Sequence, residues 1–194
     1  MSTVLPEACH IHFETCLDFI YGAQVVFDKM GAVALLKIAD ILQVEALKAA
    51  AKHELASISP EAAPDVHVFA HELSAGTGDV HMSKVKQRAF ESIRCNLACI
   101  PVDKVALLDV DTLLLLLGDD SLPASEDVVF KIVCACVQKD GIELAKARQL
   151  WECCRFPFLP IECVPDALQQ APADLVAKGS LGSICSASCG MGSF

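Results

Sequence analysis

The sequence predicts an all-α protein, and three observations support this prediction. Apolar residues recur at the spacing of one helix face in most segments. Leu, Ala, Val and Cys supply most of a 54% hydrophobic content with only 6% aromatic residues, which suits close-packed helices. Runs of alternating polar and β-branched residues, the signal of a strand, are scarce. With 194 residues, the chain is long enough to bury a core as one domain or two small ones.

The sequence of residues 13–55 predicts three helices. In the first, apolar residues at i, i+3, i+4, i+7 and i+8 form one stripe that ends at Gly22: Phe13, Cys16, Leu17, Ile20 and Tyr21. Residues 32–42 are apolar on nearly every face, so we expect a central, buried helix. The third helix, from about Val44 to Leu55, is amphipathic, with these residues inward: Leu47, Ala50, Ala51 and Leu55.

Further helices follow a boundary at residues 57–64. One begins near Pro64, since proline is tolerated in the first helical turn. The others are predicted over residues 82–97, 111–117, 125–139 and 144–154. The apolar stripe of the 82–97 helix consists of Met82, Val85, Ala89, Ile93 and Leu97. Ser125 is the predicted N-cap of its helix. Residues 179–194 are rich in Gly and Ser and are predicted to be disordered.

Charge and targeting signals restrict the function. The net charge is −10, and no Lys/Arg cluster is interleaved with aromatics, so nucleic acid and anionic membranes are poor partners. The first twelve residues lack the basic start of a signal peptide, and the most apolar run, 102–117, contains four charged residues and cannot span a bilayer. Eleven cysteines, an odd number, then suit a reducing compartment, either cytosol or nucleus.

Several segments, in this order, resemble the BTB–BACK family. FETCLDFIYGAQVVF followed by LLKIADILQVEALKAAAKHEL resembles the helical C-terminal half of a BTB (POZ) domain. LLLLLGDDSLPASEDVVFKIV and RFPFLP are similar to the helical BACK module. The resemblance implies a partial BTB region at 8–57, a BACK-like domain at 58–165 and a low-complexity tail at 166–194.

The resemblance implies a non-enzymatic scaffold similar to the substrate adaptors of cullin-based ubiquitin ligases. In that family the BTB part dimerises and binds a cullin, and a further domain, often a Kelch propeller, holds the substrate. About a dozen residues precede Phe13, and no Kelch-like repeat follows Cys163, so we expect an incomplete adaptor. Without the rest of a BTB fold, the apolar faces of residues 13–21 and 32–42 would be exposed, and we expect self-association.

The resemblance also implies partner-binding residues. Ile41 or Leu42 occupies the helix junction where family members often place an aromatic at the cullin interface. Val66, Phe69 and Leu73 lie on the first BACK helix, which extends that interface. The alternative, that all five side chains are core residues, stays open and carries more weight.

No motif predicts catalysis, a cofactor or a metal. Two cysteine pairs, Cys95 with Cys99 and Cys185 with Cys189, could each supply two zinc ligands. Neither has the second close pair of ligands that a structural zinc site requires. His67 and His71 have helical i, i+4 spacing but no third ligand, and are predicted to be solvated. The other cysteines on helix faces are interpreted as small hydrophobes: Cys134, Cys136, Cys153, Cys154 and Cys163. A metal- or redox-responsive cysteine-rich protein is the alternative function.

Arg155 is the remaining candidate. It precedes the sequence FPF at the end of a predicted helix. An arginine there can hydrogen-bond the last helical carbonyls, and this structural role is the prediction. A surface anchor for a partner is the functional alternative.

Overall fold

The computed structural model describes residues 5–74, 79–139, 141–172 and Leu175, and this part of the chain is helical and contains no strand. The all-α prediction is therefore confirmed. The chain divides into two compact units, Met1–Ile100 (unit 1) and Pro101–Phe194 (unit 2). The family domain boundaries at 57/58 and 165/166 stay predictions. The tail at 179–194 lies outside the described residues.

Unit 1 begins with a 3₁₀ turn, Glu7–His12, and continues in α-helices, two of which start at an aspartate whose carboxylate caps them. Asp28 Oδ1 accepts a hydrogen bond from the Gly31 amide at 2.7 Å and caps the second helix. The helices are α1 (Phe13–Ile20), α2 (Lys29–Leu42), α3 (Glu45–Glu54), α4 (Ala63–Ser74) and α5 (Val80–Asn96).

The core of unit 1 forms around α2, whose residues from Gly31 to Ala39 are all buried. This confirms the buried central helix that its apolar sequence predicts. The expectation that an incomplete BTB fold exposes residues 32–42 is wrong for residues 32–39, because the other helices of unit 1 cover them. The inward positions predicted for the 82–97 helix are buried as well: Met82, Val85, Ala89, Ile93 and Leu97. In α3, Leu47, Ala51 and Leu55 are buried, whereas Ala50 is only half-buried.

A buried ion pair joins α2 to the start of α5. Lys37 Nζ lies 2.8 Å from Asp79 Oδ2, and the two side chains are 9% and 5% exposed. Asp79 also caps α5, because its Oδ1 accepts the amide protons of His81 and Met82 at 2.8 and 3.1 Å. Burial acts to raise the pKa of Asp79, but the hydrogen bonds from Lys37 and these amides outweigh it, and the pKa lies below its ordinary value.

The α1 stripe is only partly covered. Cys16 is fully buried, whereas Leu17, Ile20 and Tyr21 are 37%, 48% and 84% exposed. The chain then leaves α1 through Gly22, which has a φ of +85°, a value that glycine adopts without strain. Unit 1 therefore presents an apolar helix face to solvent.

Unit 2 packs short helices around a second apolar core. Phe130 and Trp151 lie at its centre, with ring centroids 6.0 Å apart and an interplanar angle of 50°. Its helices are α6 (Val102–Val105), α7 (Val110–Leu117), α8 (Glu126–Val137), α9 (Leu144–Glu152) and α10 (Val164–Gln170). Ser125 is the N-cap residue of α8, as predicted, but its hydroxyl donates to Asp127 Oδ1 instead of accepting a helix amide.

Sequence reasoning missed α6 and α10. Residues 166–170, assigned above to the tail, lie in α10, where Ala167 is fully buried. Each helix is under two turns long, too short for the periodicity of apolar residues to reveal it. None of the described helices combines the length and the apolar character needed to cross a membrane.

Candidate functional site

Two of the five predicted partner-binding residues lie at the end of α2. Ile41 is half-buried and Leu42 is 44% exposed. The helix ends here because Gln43 adopts the left-handed conformation, with φ 57° and ψ 35°, and the Val44 amide donates to the Ala39 carbonyl at 2.9 Å. This turn leaves Leu42 facing solvent.

The other three residues lie on α4 and face inward. Val66 is fully buried and Leu73 is 4% exposed, and both belong to the core cluster of unit 1. Phe69 is partly buried and packs against that cluster. Ile41 and Leu42 are not members of the cluster. In this conformation Leu42 offers a partner more surface than Val66 or Leu73, and the binding role of the five residues stays a prediction.

The structure adds two grooves that sequence reasoning missed. One, in unit 1, lies between the end of α3 and α5, and Lys84 and Arg88 line it. The sequence signal for this groove is the i, i+4 spacing of these two cations, which places them on the same face of α5. The other, in unit 2, has a volume of about 700 Å³ and is lined by residues that include Leu144, Trp151 and Pro172.

The two helical histidines have different surroundings. The prediction that both are solvated is wrong for His67, which is 5% exposed and packs its ring 6.3 Å from that of Phe90. His67 lies on the inward face of α4 together with Val66, and periodicity alone did not reveal this. His71 is exposed, with its Nδ1 3.4 Å from Lys86 Nζ. Within the described ranges, no group of three or more His, Cys, Asp or Glu side chains is arranged to hold a metal ion.

The cysteines of the described residues are free thiols. Burial raises the pKa of Cys134 to about 11, and it raises the pKa of Cys9 to about 11 against the opposing effect of nearby Lys37. Burial, followed by the negative charge of Glu126, also raises the pKa of Cys154. Because the thiolate is the nucleophile and metal ligand, these protonated thiols react slowly at neutral pH.

Arg155 does not bind the last helical carbonyls as predicted. Its guanidinium donates from an Nη atom to Asp120 Oδ1 at 2.8 Å, and its backbone amide donates to Glu126 Oε1 at 2.5 Å. The side chains of Arg155 and Asp120 are 42% and 98% exposed, so this is a surface ion pair. Arg155 therefore ties the end of α9 to the α7–α8 connection and the start of α8.

Comparison with known proteins finds one family model that matches part of the chain. The family model for BACK (BTB And C-terminal Kelch) matches residues 78–169, from the start of α5 into α10. BACK-domain proteins are generally non-enzymatic adaptors that mediate protein–protein interactions. No curated protein and no solved structure matches the chain.

Proposed function

We propose that this protein is a non-enzymatic protein-interaction scaffold related to the substrate adaptors of cullin-based ubiquitin ligases. The BACK match over residues 78–169 is the observation that carries this proposal. The helical array of unit 2, packed on Phe130 and Trp151, supplies the rigid platform that such a scaffold needs. The cytosol or the nucleus is the proposed location.

We propose that the N-terminal helices are the helical part of a BTB domain. Their sequence resemblance over residues 8–57 supports this assignment, and the buried α2 with its exposed end suits a surface that meets a partner. Leu42 would make the principal contact there, with half-buried Ile41 and Phe69 beside it. Val66 and Leu73 would contribute indirectly, because their buried side chains hold α4 in place.

The competing function, a redox-responsive cysteine protein, has less support. Such a protein needs accessible thiols of lowered pKa, whereas burial raises the pKa of Cys9, Cys134 and Cys154. We propose that these cysteines serve mainly as small packing residues.

A calorimetric titration with a cullin N-terminal domain tests the proposed function. We expect this chain alone to bind weakly, because Leu42, at 44%, is the only exposed side chain among the five predicted contacts. A chimera in which a complete BTB N-terminal half precedes residue 13 should bind at least about tenfold more tightly. If the chimera does not bind, the cullin assignment fails; if the chain alone binds as tightly, the BACK-like part suffices.

Self-association is the second proposed property. The exposed side chains of Leu17, Ile20 and Tyr21 form an apolar face on α1 that a second copy can cover. Sedimentation velocity over a range of concentrations should show reversible association. A monodisperse monomer that binds no hydrophobic dye would contradict this property.

A further inference from the structure

One concave surface of unit 1 gathers positive charge in a chain whose net charge is −10. Two adjoining cavities, of about 720 and 200 Å³, lie where the end of α3 and the turn after it meet α5. Lys84 and Arg88 line both cavities, and Lys52 lines the smaller one. We call this surface, with the side chains of Leu55 and Val85 that also line it, the cationic groove.

The cations of the groove are available to a ligand. Among the described residues, Lys52, Lys84 and Arg88 form no ion pair, in contrast to Lys37 and Lys48, whose ammonium groups contact carboxylates. Glu91, a carboxylate that lines the larger cavity, lies 3.2 Å from Arg94 Nε and is partly neutralised by it. The groove therefore carries a net positive charge.

The lining of the groove is partly apolar. Leu55 and Val85 are 1% and 5% exposed, so each shows only a small part of its surface. Ile58 is half-buried beside them, and the aliphatic stems of Lys84 and Arg88 extend the apolar surface. A ligand that fits this surface combines aliphatic groups with negative charges.

We propose that the cationic groove binds an acidic amphipathic segment of a partner protein, in which Asp or Glu residues flank aliphatic ones. The carboxylates would pair with Lys52, Lys84 and Arg88, and Arg88 can hold a carboxylate in a two-point contact. The aliphatic side chains would lie against Ile58 and the aliphatic stems of Lys84 and Arg88. This site is separate from the proposed cullin contacts and does not depend on them.

A protein segment suits the groove better than a nucleic acid. Among the described residues, His81 supplies the only ring that lines either cavity, so a run of bases would find little to stack on. A short peptide needs no ring to stack on, and its few carboxylates meet less repulsion from the net charge of −10 than a long polyphosphate backbone does.

Fluorescence anisotropy with a labelled peptide of about 12 residues, made only of Glu and Leu, tests the proposal. We expect saturable binding that weakens as ionic strength rises from about 0.05 to 0.5 M. Lys84→Glu combined with Arg88→Glu should weaken binding by about tenfold or more. The control, Lys131→Glu with Lys146→Glu, makes the same change in net charge at surface positions outside the groove and should retain the affinity.

Three results would overturn the proposal: no binding by the unaltered chain, equal losses in the two double variants, or tighter binding of inorganic polyphosphate than of the peptide. Peptides in which Gln replaces Glu, or Ser replaces Leu, should each bind more weakly to the unaltered chain. This comparison needs no altered protein, so it decides the question even if a variant misfolds. The cullin titration is a separate measurement, so failure of one proposal is distinguishable from failure of the other.

Discussion

The two units place their charged groups differently. In unit 1, the Lys37–Asp79 pair is almost fully buried and connects residues 42 positions apart. In unit 2, the pairs Lys131–Asp127, Lys146–Asp111 and Arg155–Asp120 each have at least one partner that is more than half exposed. Buried pairs are costly to break and surface pairs contribute little. The buried pair therefore adds to the apolar core in stabilising unit 1, whereas these three pairs of unit 2 contribute little.

Removal of the buried cation should have the largest effect. Lys37→Met leaves Asp79 buried without its partner, and we expect the free energy of unfolding to fall by about 3–5 kcal/mol. Lys131→Met, which removes a 57% exposed lysine, should cost under about 0.5 kcal/mol. Urea titrations followed by far-UV circular dichroism compare the two. Equal effects would show that burial of the pair is unimportant.

Acid should weaken the same pair. Because the pKa of Asp79 is lowered from 3.8, its charged form stabilises the fold above that pH, and this contribution disappears as the pH falls through the lower folded value. Asp79→Asn can still cap α5 but cannot form the ion pair. The stability difference between the unaltered chain and this variant should therefore be full at pH 7 and shrink below about pH 4.

A matched control separates this effect from general acid titration. Asp109 caps α7 by accepting the Thr112 amide proton at 2.9 Å, and this contact is exposed. Asp109→Asn should change stability by under about 0.5 kcal/mol at any pH in this range. A constant difference between the unaltered chain and Asp79→Asn from pH 7 to 3 would contradict the account.

Aromatic packing in unit 2 should give a smaller effect. Phe130→Leu removes the ring beside Trp151, and we expect a loss of about 1–2 kcal/mol. Phe158→Leu, at a position 76% exposed, should be nearly neutral. Trp151 is the only tryptophan, so its fluorescence reports unfolding of unit 2 directly. A neutral Phe130→Leu would show that this ring pair contributes little.

Local patterns predicted the longer helices of the chain well. The apolar run of α2, the Pro64 start of α4 and the inward residues of α5 agree with the structure. Periodicity could not separate His67 from a surface histidine, since its face of α4 depends on what packs there. It also could not predict the Lys37–Asp79 pair, because contacts between distant residues depend on tertiary packing.

The predicted interaction residues show the same limit. A sequence pattern placed Val66 and Leu73 on the inward stripe of α4, and the structure buries both. The exposure of Leu42 depends on the left-handed turn at Gln43, a residue that rarely adopts this conformation. The cationic groove forms because α3 and α5 pack side by side. This packing cannot be predicted from the sequence of either helix alone.

Loss of cullin binding on alteration of Leu42 is the most direct test of the scaffold proposal. In the chimera with a complete BTB half, Leu42→Asp places a charge at the proposed contact, and Leu115→Asp places one at an exposed leucine of unit 2. Calorimetry should show that Leu42→Asp weakens cullin binding by about tenfold or more and that Leu115→Asp leaves it unchanged. Equal affinity of both variants and the unaltered chimera would contradict the placement of the partner site on unit 1.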